Sequence, residues 1–241
     1  PTKRVQLVND MLDHSLWQAK PARRIYIPKP NGKKRALGIP TVKNRVAQAI
    51  VKNALEPSWE ARFEANSYGF RPGRGCHDAL EQAWIRLQKG KDTWILDADI
   101  QAAFDEISHK SILSTVGEIP GRELIKQWLK AGYVEAEVLH ATSSGTPQGS
   151  VISPLLANIT LDGIEALLGR YKTIKTYQCT RKATGETYLK KKKLNKYGFV
   201  RYADDMIVTA RSKQDIEAIV PILEQWLTER GLKLNPDKTQ I

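Results

Sequence analysis

Cysteine is almost missing from this chain of 241 residues: only Cys76 and Cys179 occur. Two thiols cannot staple a fold, and their spacing matches no metal-ligand pattern. A disulfide scaffold is thereby excluded and a reducing compartment is indicated. No apolar run approaches the roughly 20 residues that a bilayer crossing needs. No serine–histidine or cysteine–histidine pairing invites a catalytic triad, and there is no internal repeat. Acidic residues are in deficit, with 26 Asp and Glu against 38 Lys and Arg, which leaves a net charge of +12 and a pI near 9.6. Such a surplus points to a polyanionic partner. The basic residues are dispersed and no basic amphipathic helix stands out, so nucleic acid fits better than a membrane surface. Apolar content of 41% and charged content of 27% are those of a globular protein, and the length allows one large domain or two small ones. The chain opens at Pro1 without a signal peptide and stops at Ile241 in mid-pattern, so it reads as an excerpt of a longer protein.

What is present is organised around Phe199-Val200-Arg201-Tyr202-Ala203-Asp204-Asp205-Met206-Ile207-Val208-Thr209. Two adjacent carboxylates between short runs of strand formers read as a β-hairpin turn. Like charges side by side repel, and a hard divalent cation such as Mg²⁺ would remove that repulsion. A solvated Asp-Asp turn is the plainer alternative. A second acidic stretch, Thr93 to Ile100, reads as a strand on which Asp97 and Asp99 share a face. Carboxylates on an otherwise apolar strand need a reason, either a metal or a strand end that meets solvent.

The remaining punctuation sets an α+β order of hairpin, helices, strand, helix, hairpin, helix and strand, with an antiparallel sheet. Asn31-Gly32 between Ile25–Ile27 and Ala36–Ile39 is a strong hairpin signal, and four basic residues give that hairpin a positive tip. A helix is expected from Lys43 to Glu56, with Val46, Ala49, Ile50 and Ala54 inward and Pro57 as its end. The loop from Asn66 to Gly75 alternates aromatic residues with Arg71 and Arg74, which suits either nucleic-acid contact or ordinary loop packing. A helix from His77 to Lys89 should turn Leu80, Ala83, Trp84 and Leu87 inward and stop at Gly90. Ser153-Pro154 reads as an N-cap followed by the first helical residue. Between Arg170 and Lys196 ten basic residues face one acid, Glu186, and the alternation predicts a hairpin around Thr184-Gly185. Lys190, Lys191, Lys192 and Lys193 supply much of its charge, which favours nucleic-acid contact. A helix from Gln214 to Arg230 should be kinked by Pro221.

Taken together, Asp99, Asp204 and Asp205 form an oxygen-rich set suited to two divalent ions, if the sheet makes them neighbours. At this point the chain resembles the reverse transcriptases, in the branch encoded by group II introns (the maturases). The palm likeness rests on Tyr202-Ala203-Asp204-Asp205, on Asp99 to Asp105, on Gly145-Thr146-Pro147-Gln148-Gly149 with Ser153 to Ile159, and on Gly231-Leu232 to Lys238-Thr239. The fingers likeness rests on Tyr26 to Lys29, Arg35 to Pro40, and Ser67 to Arg74. Six motifs in order make the resemblance very specific.

The resemblance implies a right-hand fingers–palm fold, with fingers over 1–92 (a fingertip hairpin at 24–40) and palm over 93–241 (a basic insertion at about 170–197). The thumb and X region, and any DNA-binding or endonuclease region, would lie outside this chain. It implies RNA-directed DNA synthesis with two Mg²⁺ held by Asp99, Asp204, Asp205 and the Ile100 carbonyl. Phe104 matches a steric gate against the 2′-hydroxyl. Lys29 and Arg35 match fingertip contacts to the triphosphate, Gln148 and Gly149 the loop lining the incoming nucleotide, and Lys238 a proton donor to pyrophosphate. Implied partners are intron RNA, an RNA template with its DNA primer, dNTPs and target DNA, in a bacterial cytoplasm near the nucleoid or in an organelle. Alternatives are a reverse transcriptase of another bacterial retroelement or defence branch, and a mainly RNA-binding splicing cofactor.

Overall fold

The computed structural model describes residues 2–13, 17–28, 32, 34–88 and 91–241. In chain order, α1 (Thr2–Leu12) precedes the hairpin of β1 (Ala22–Pro28) and β2 (Lys34–Ile39), then α2 (Val42–Glu60) and α3 (Cys76–Leu87). Next come β3 (Trp94–Asp99), α4 (Ala103–Glu106), α5 (His109–Val116), α6 (Arg122–Lys130), and a short hairpin of β4 (Tyr133–Glu135) and β5 (Val138–His140). The last part holds α7 (Ser153–Leu161), α8 (Ile164–Leu168), β6 (Lys172–Thr180), β7 (Thr187–Asn195), β8 (Gly198–Tyr202), β9 (Asp205–Ala210) and α9 (Lys213–Thr228).

Three sheets result. One is ordered β3-β9-β8, one β2-β1-β4-β5, and β6 with β7 stands as a separate ribbon. The first carries the expected alternation: Leu96, Ala98 and Ile100 are each 1% exposed on the face packed against the helices, while Asp97 points to solvent. β9 follows the same rule, with Met206, Val208 and Ala210 buried. Ile216, Ile219, Leu223 and Leu227 of α9 join them in a core that also takes Val51, Leu55, Trp59 and Phe63 from the N-terminal part. That core crosses the expected fingers–palm boundary, and so does the second sheet, where β1 pairs in parallel with β4.

Several expectations shift. α2 does not stop at Pro57 but runs through it to Glu60, because the extra turn buries Trp59, whose ring lies 5.7 Å from Phe63. Its buried face is Ala47, Val51 and Leu55, one residue on from the expected Val46, Ile50 and Ala54. On α3 only Ala79 is buried; Trp84 and Leu80 are 66% and 65% exposed, since the helix meets β8 and β9 through the opposite edge of its stripe. Gly90, the expected stop of α3, lies outside the described residues. Ser153 is not an N-cap. The cap is Ile152, and the Ser153 hydroxyl instead bonds Thr146 Oγ1 at 2.5 Å. α7 ends at Leu161 because Gly163 takes φ 108, and the chain restarts as α8. α9 is unbroken across Pro221. No described helix is long and apolar enough to cross a membrane.

Candidate active site

Antiparallel register makes the first juxtaposition. Asp99 closes β3 directly opposite Asp205, which opens β9. Residues so paired have Cα atoms about 4.5–5.5 Å apart, so the two acidic side chains are neighbours at the end of the sheet. Asp204 precedes Asp205 in the two-residue turn from β8, whose other residue, Ala203, takes φ 58. A left-handed first position gives a tight hairpin the twist of its strands. The Asp204 carbonyl accepts from the Ile100 amide at 3.3 Å, which ties the turn to the end of β3.

The three carboxylates disfavour one another. Burial pushes the Asp205 carboxyl up from its ordinary range, helped by the charge of Asp204 and by Asp99. A cation answers them: Lys238 Nζ lies 3.0 Å from Asp99 Oδ2, and Asp99 holds that ammonium above its usual range. Asn235 Nδ2 donates to the same oxygen at 3.0 Å. Among the described residues no group of three or more His, Cys, Asp or Glu is gathered closely enough to hold a metal ion by itself. The donor chemistry still fits a hard divalent ion, because crowded carboxylate oxygens that repel each other are what such ions take.

One wall beside the carboxylates is aromatic. Phe104, on α4, meets Phe70 edge-on with ring centroids 6.1 Å apart. Phe70, absent from the sequence-level candidates, is held at φ 58 and is 52% exposed. A small recess joins Phe70 and Phe104 to Asn158, Ala203 and Asp204. Beyond Phe104 opens a cleft of about 400 Å³ bordered by Arg24, Tyr26, Gly38, Tyr133 and Pro147. A larger cavity of about 690 Å³, between α1, α2 and α6, holds none of the expected site residues.

The loop after β5 seats Gln148 and Gly149 against two neighbours. Gln148 accepts from the Gly38 amide of β2 at 2.6 Å, and its side-chain amide reaches Asp105 Oδ2 at 3.4 Å. Gly149, at φ 102, would carry a Cβ 3.1 Å from the Gly38 carbonyl. The Thr146 amide donates to Phe104 O at 2.6 Å and the Gly145 amide to Ile107 O at 2.8 Å. His109 Nε2 donates to Gly145 O at 2.8 Å, and burial holds that imidazole below its ordinary pKa. Gln48 of α2 clamps the far side, accepting from Ser150 Oγ at 2.9 Å and Val151 N at 3.2 Å. Nothing in the sequence singles it out, because a glutamine inside a helical pattern carries no periodic signal.

The basic residues divide. Lys29 lies outside the described residues. Arg35 is exposed on β2, opposite Ile27. Arg71, expected to meet nucleic acid, turns inward: it is 6% exposed, forks onto Glu60 at 2.8–3.1 Å and donates to the carbonyls of Glu64 and Ser67. It closes its own loop, and that spends its donors internally. Arg74 is half-buried, with Nη1 bonded to Ala65 O at 2.5 Å. Lys190 to Lys193 are all exposed on β7. Their register sets Lys190 and Lys192 opposite Tyr177 and Lys175, and Lys191 and Lys193 opposite Thr176 and Ile174, so the four lysines alternate between the two faces of the ribbon.

Against this geometry, a family model described as reverse transcriptase (RNA-dependent DNA polymerase) matches residues 27–241. Protein YkfC of Escherichia coli strain K12 is 34% identical, over 98% of this chain and 67% of its own. The group II intron-encoded protein LtrA of Lactococcus lactis subsp. cremoris is 32% identical, over 99% of this chain and 47% of its own. The chain thus spans about half the length of that relative. Among solved structures, apo telomerase from Candida tropicalis superimposes with a TM-score of 0.61 at 13% identity, over 92% of this chain and 44% of that one. Identity that low speaks for the fold alone, a fingers–palm α+β arrangement.

Proposed function

Since the chain belongs to the reverse transcriptase (RNA-dependent DNA polymerase) family, we propose that it is the polymerising part of a group II intron-encoded protein. On this reading it copies RNA into DNA from a DNA primer and also holds its intron RNA to assist splicing. The observation that carries it is the Asp99–Asp205 register, with Asp204 adjacent and Lys238 set on Asp99. Asp99, Asp204, Asp205 and the Ile100 carbonyl would hold two Mg²⁺. Bound there, such ions lower the pKa of an attacking hydroxyl and neutralise the leaving pyrophosphate.

The chain's own residues position and exclude. Phosphoryl transfer asks mainly for alignment and charge neutralisation, so no nucleophilic side chain is required. Gln148 and Gly149 seat the incoming nucleotide between β2 and α4, while Arg35, with Lys29, meets its triphosphate through charge-assisted hydrogen bonds. Lys238, already on the carboxylate cluster, is placed to give a proton to the departing pyrophosphate. Phe104, braced by Phe70, closes the wall that a 2′-hydroxyl would meet. Phe104→Ala should therefore raise ribonucleotide incorporation relative to deoxyribonucleotide by about 10–200-fold, the range that a small change of bulk gives in an apolar pocket. Single-nucleotide extension with each sugar measures it, and an unaltered ratio removes Phe104 from that role.

Fingers (1–92) and palm (93–241) are divided by role within one packed body. The basic ribbon of β6 and β7 serves RNA. Lys175 lies directly across from Lys192, and like charges so paired are unfavourable until a polyanion joins them. Neutralising Lys190 to Lys193 together should weaken intron-RNA affinity and flatten its dependence on salt by up to about 3 in log–log slope. Filter binding across a salt series reads this, and an unchanged slope takes the ribbon out of the interface. The retained carboxylates favour an active polymerase over a purely RNA-binding splicing cofactor. Primer extension on an RNA template, run beside splicing of the flanking intron with the whole protein, tests the reading directly.

A further inference from the structure

A guanidinium sits fully buried under the carboxylate turn, where the mechanism above makes no use of it. Arg201 of β8 is 0% exposed. Its Nη1 donates to Ala203 O and to Asn158 Oδ1, each at 2.9 Å. Among the described residues neither its Nε nor its Nη2 finds a hydrogen-bond partner, although the charges of Glu64, Asp162 and Asp204 all act on it. Burying a charge with few hydrogen bonds is costly, so where its two bonds go is informative. Ala203 is the left-handed corner immediately before Asp204. Asn158, 1% exposed on α7, passes the connection on: its Nδ2 donates to Gly69 O at 2.8 Å.

Gly69 lies flat against the turn. A Cβ there would come within 2.3 Å of the Ala203 amide nitrogen. The next residue is Phe70, strained at φ 58 and set against Phe104. The main chain adds two more ties, Tyr68 N to Arg201 O and Arg201 N to Asn66 O, both 2.9 Å. Two side chains in series, Arg201 and Asn158, therefore link three separate segments: the carboxylate turn, the helix carrying Asn158, and the loop carrying Phe70.

We infer that Arg201 is a positioning residue that, through Asn158 and Gly69, locks the Asp204-Asp205 turn and the Phe70–Phe104 wall into a single unit. The inference rests on the polymerase reading for its consequence, since it makes metal placement and sugar discrimination rise and fall together. Its physical core, the mechanical coupling, does not depend on that reading.

Asn158→Ala in the whole protein cuts the connection without touching a carboxylate or an aromatic ring. Two amides report on the two sides: Tyr68 N–H, bonded to Arg201 O, and Ile100 N–H, bonded to Asp204 O. In metal-free protein both should exchange with solvent about tenfold faster, the effect of one lost hydrogen bond. In primer extension the preference for deoxyribonucleotide should fall by about three- to tenfold, and the Mg²⁺ concentration for half-maximal rate should rise. Arg201→Lys, which keeps the charge and loses the fork, should move both readouts the same way. A merely structural role lowers the amount of folded enzyme but leaves the sugar ratio and the Mg²⁺ half-saturation as they were. Faster exchange confined to the Tyr68 side, or an unchanged sugar ratio, overturns the inference. Wild-type protein that fails to extend a primer sinks the polymerase reading instead, and the exchange experiment still decides the coupling.

Discussion

Replacing Asp204 with alanine should lower primer extension by about a thousandfold or more while intron-RNA binding survives. The expectation follows from charge. On the proposed reading an ion held by this turn would supply several kcal/mol of stabilisation to developing negative charge, and each 1.36 kcal/mol is about tenfold in rate. Removing one carboxylate also relieves Asp205, whose carboxyl is pushed up partly by its neighbour, so the fold should tolerate the change. The turn itself is set by main-chain bonds, among them Ile100 N to Asp204 O, which alanine keeps. On the proposed reading RNA is held elsewhere, chiefly on the exposed lysines of the ribbon. Extension assays and RNA titration on one preparation check both halves, and robust cDNA synthesis by the variant would falsify the assignment.

Gly145→Ala should cost about 2–5 kcal/mol of stability and depress extension with it. Gly145 sits at φ 79, where a side chain costs about 1–2 kcal/mol, and the new Cβ would fall 2.5 Å from Asp105 O and 2.8 Å from Phe104 O. Both neighbours are backbone, so nothing flexible can swing aside, and forced overlap of this kind adds about 1–3 kcal/mol. The segment that must yield is α4, which carries Phe104. Gly73 is the internal control: its φ is 68 but nothing lies within 4 Å of a Cβ, so Gly73→Ala should show only the conformational cost. Denaturant midpoints for the pair separate strain from collision. Equal shifts would mean that the contact with α4 is not tight.

The hairpin of β8 and β9 and the strand β3 were legible because alternation and turn chemistry are local signals, and their pairing placed Asp99 and Asp205 opposite each other. The helix faces were less so. α2 reads equally well in two adjacent phases, and Asn44 and Gln48, both buried, blur the stripe. On α3 the largest apolar side chains, Leu80 and Trp84, face outward, which inverts the rule that periodicity relies on. Arg71 shows a further limit. An arginine in a glycine-rich loop has the same sequence signature whether it meets a phosphate or folds back on a glutamate, and the Arg71–Glu60 fork at 2.8 Å joins residues eleven positions apart. Phe70 and Asn158 lie within the motifs, but their particular roles are not legible there, because they arise from a backbone strained at one position and from a contact spanning 89 residues.

The ribbon of β6 and β7 leaves and rejoins the body at one place: Lys172 pairs with Asn195, and the Lys196 amide bonds Tyr171 O at 2.9 Å. Its two strands pair only with each other. Residues can therefore be added to or removed from it in opposed couples without displacing β8 or the acidic turn that β8 leads into. The ribbon can thus be lengthened, trimmed or exchanged as a unit, and on the proposed reading a change of RNA preference made there leaves the acidic turn undisturbed.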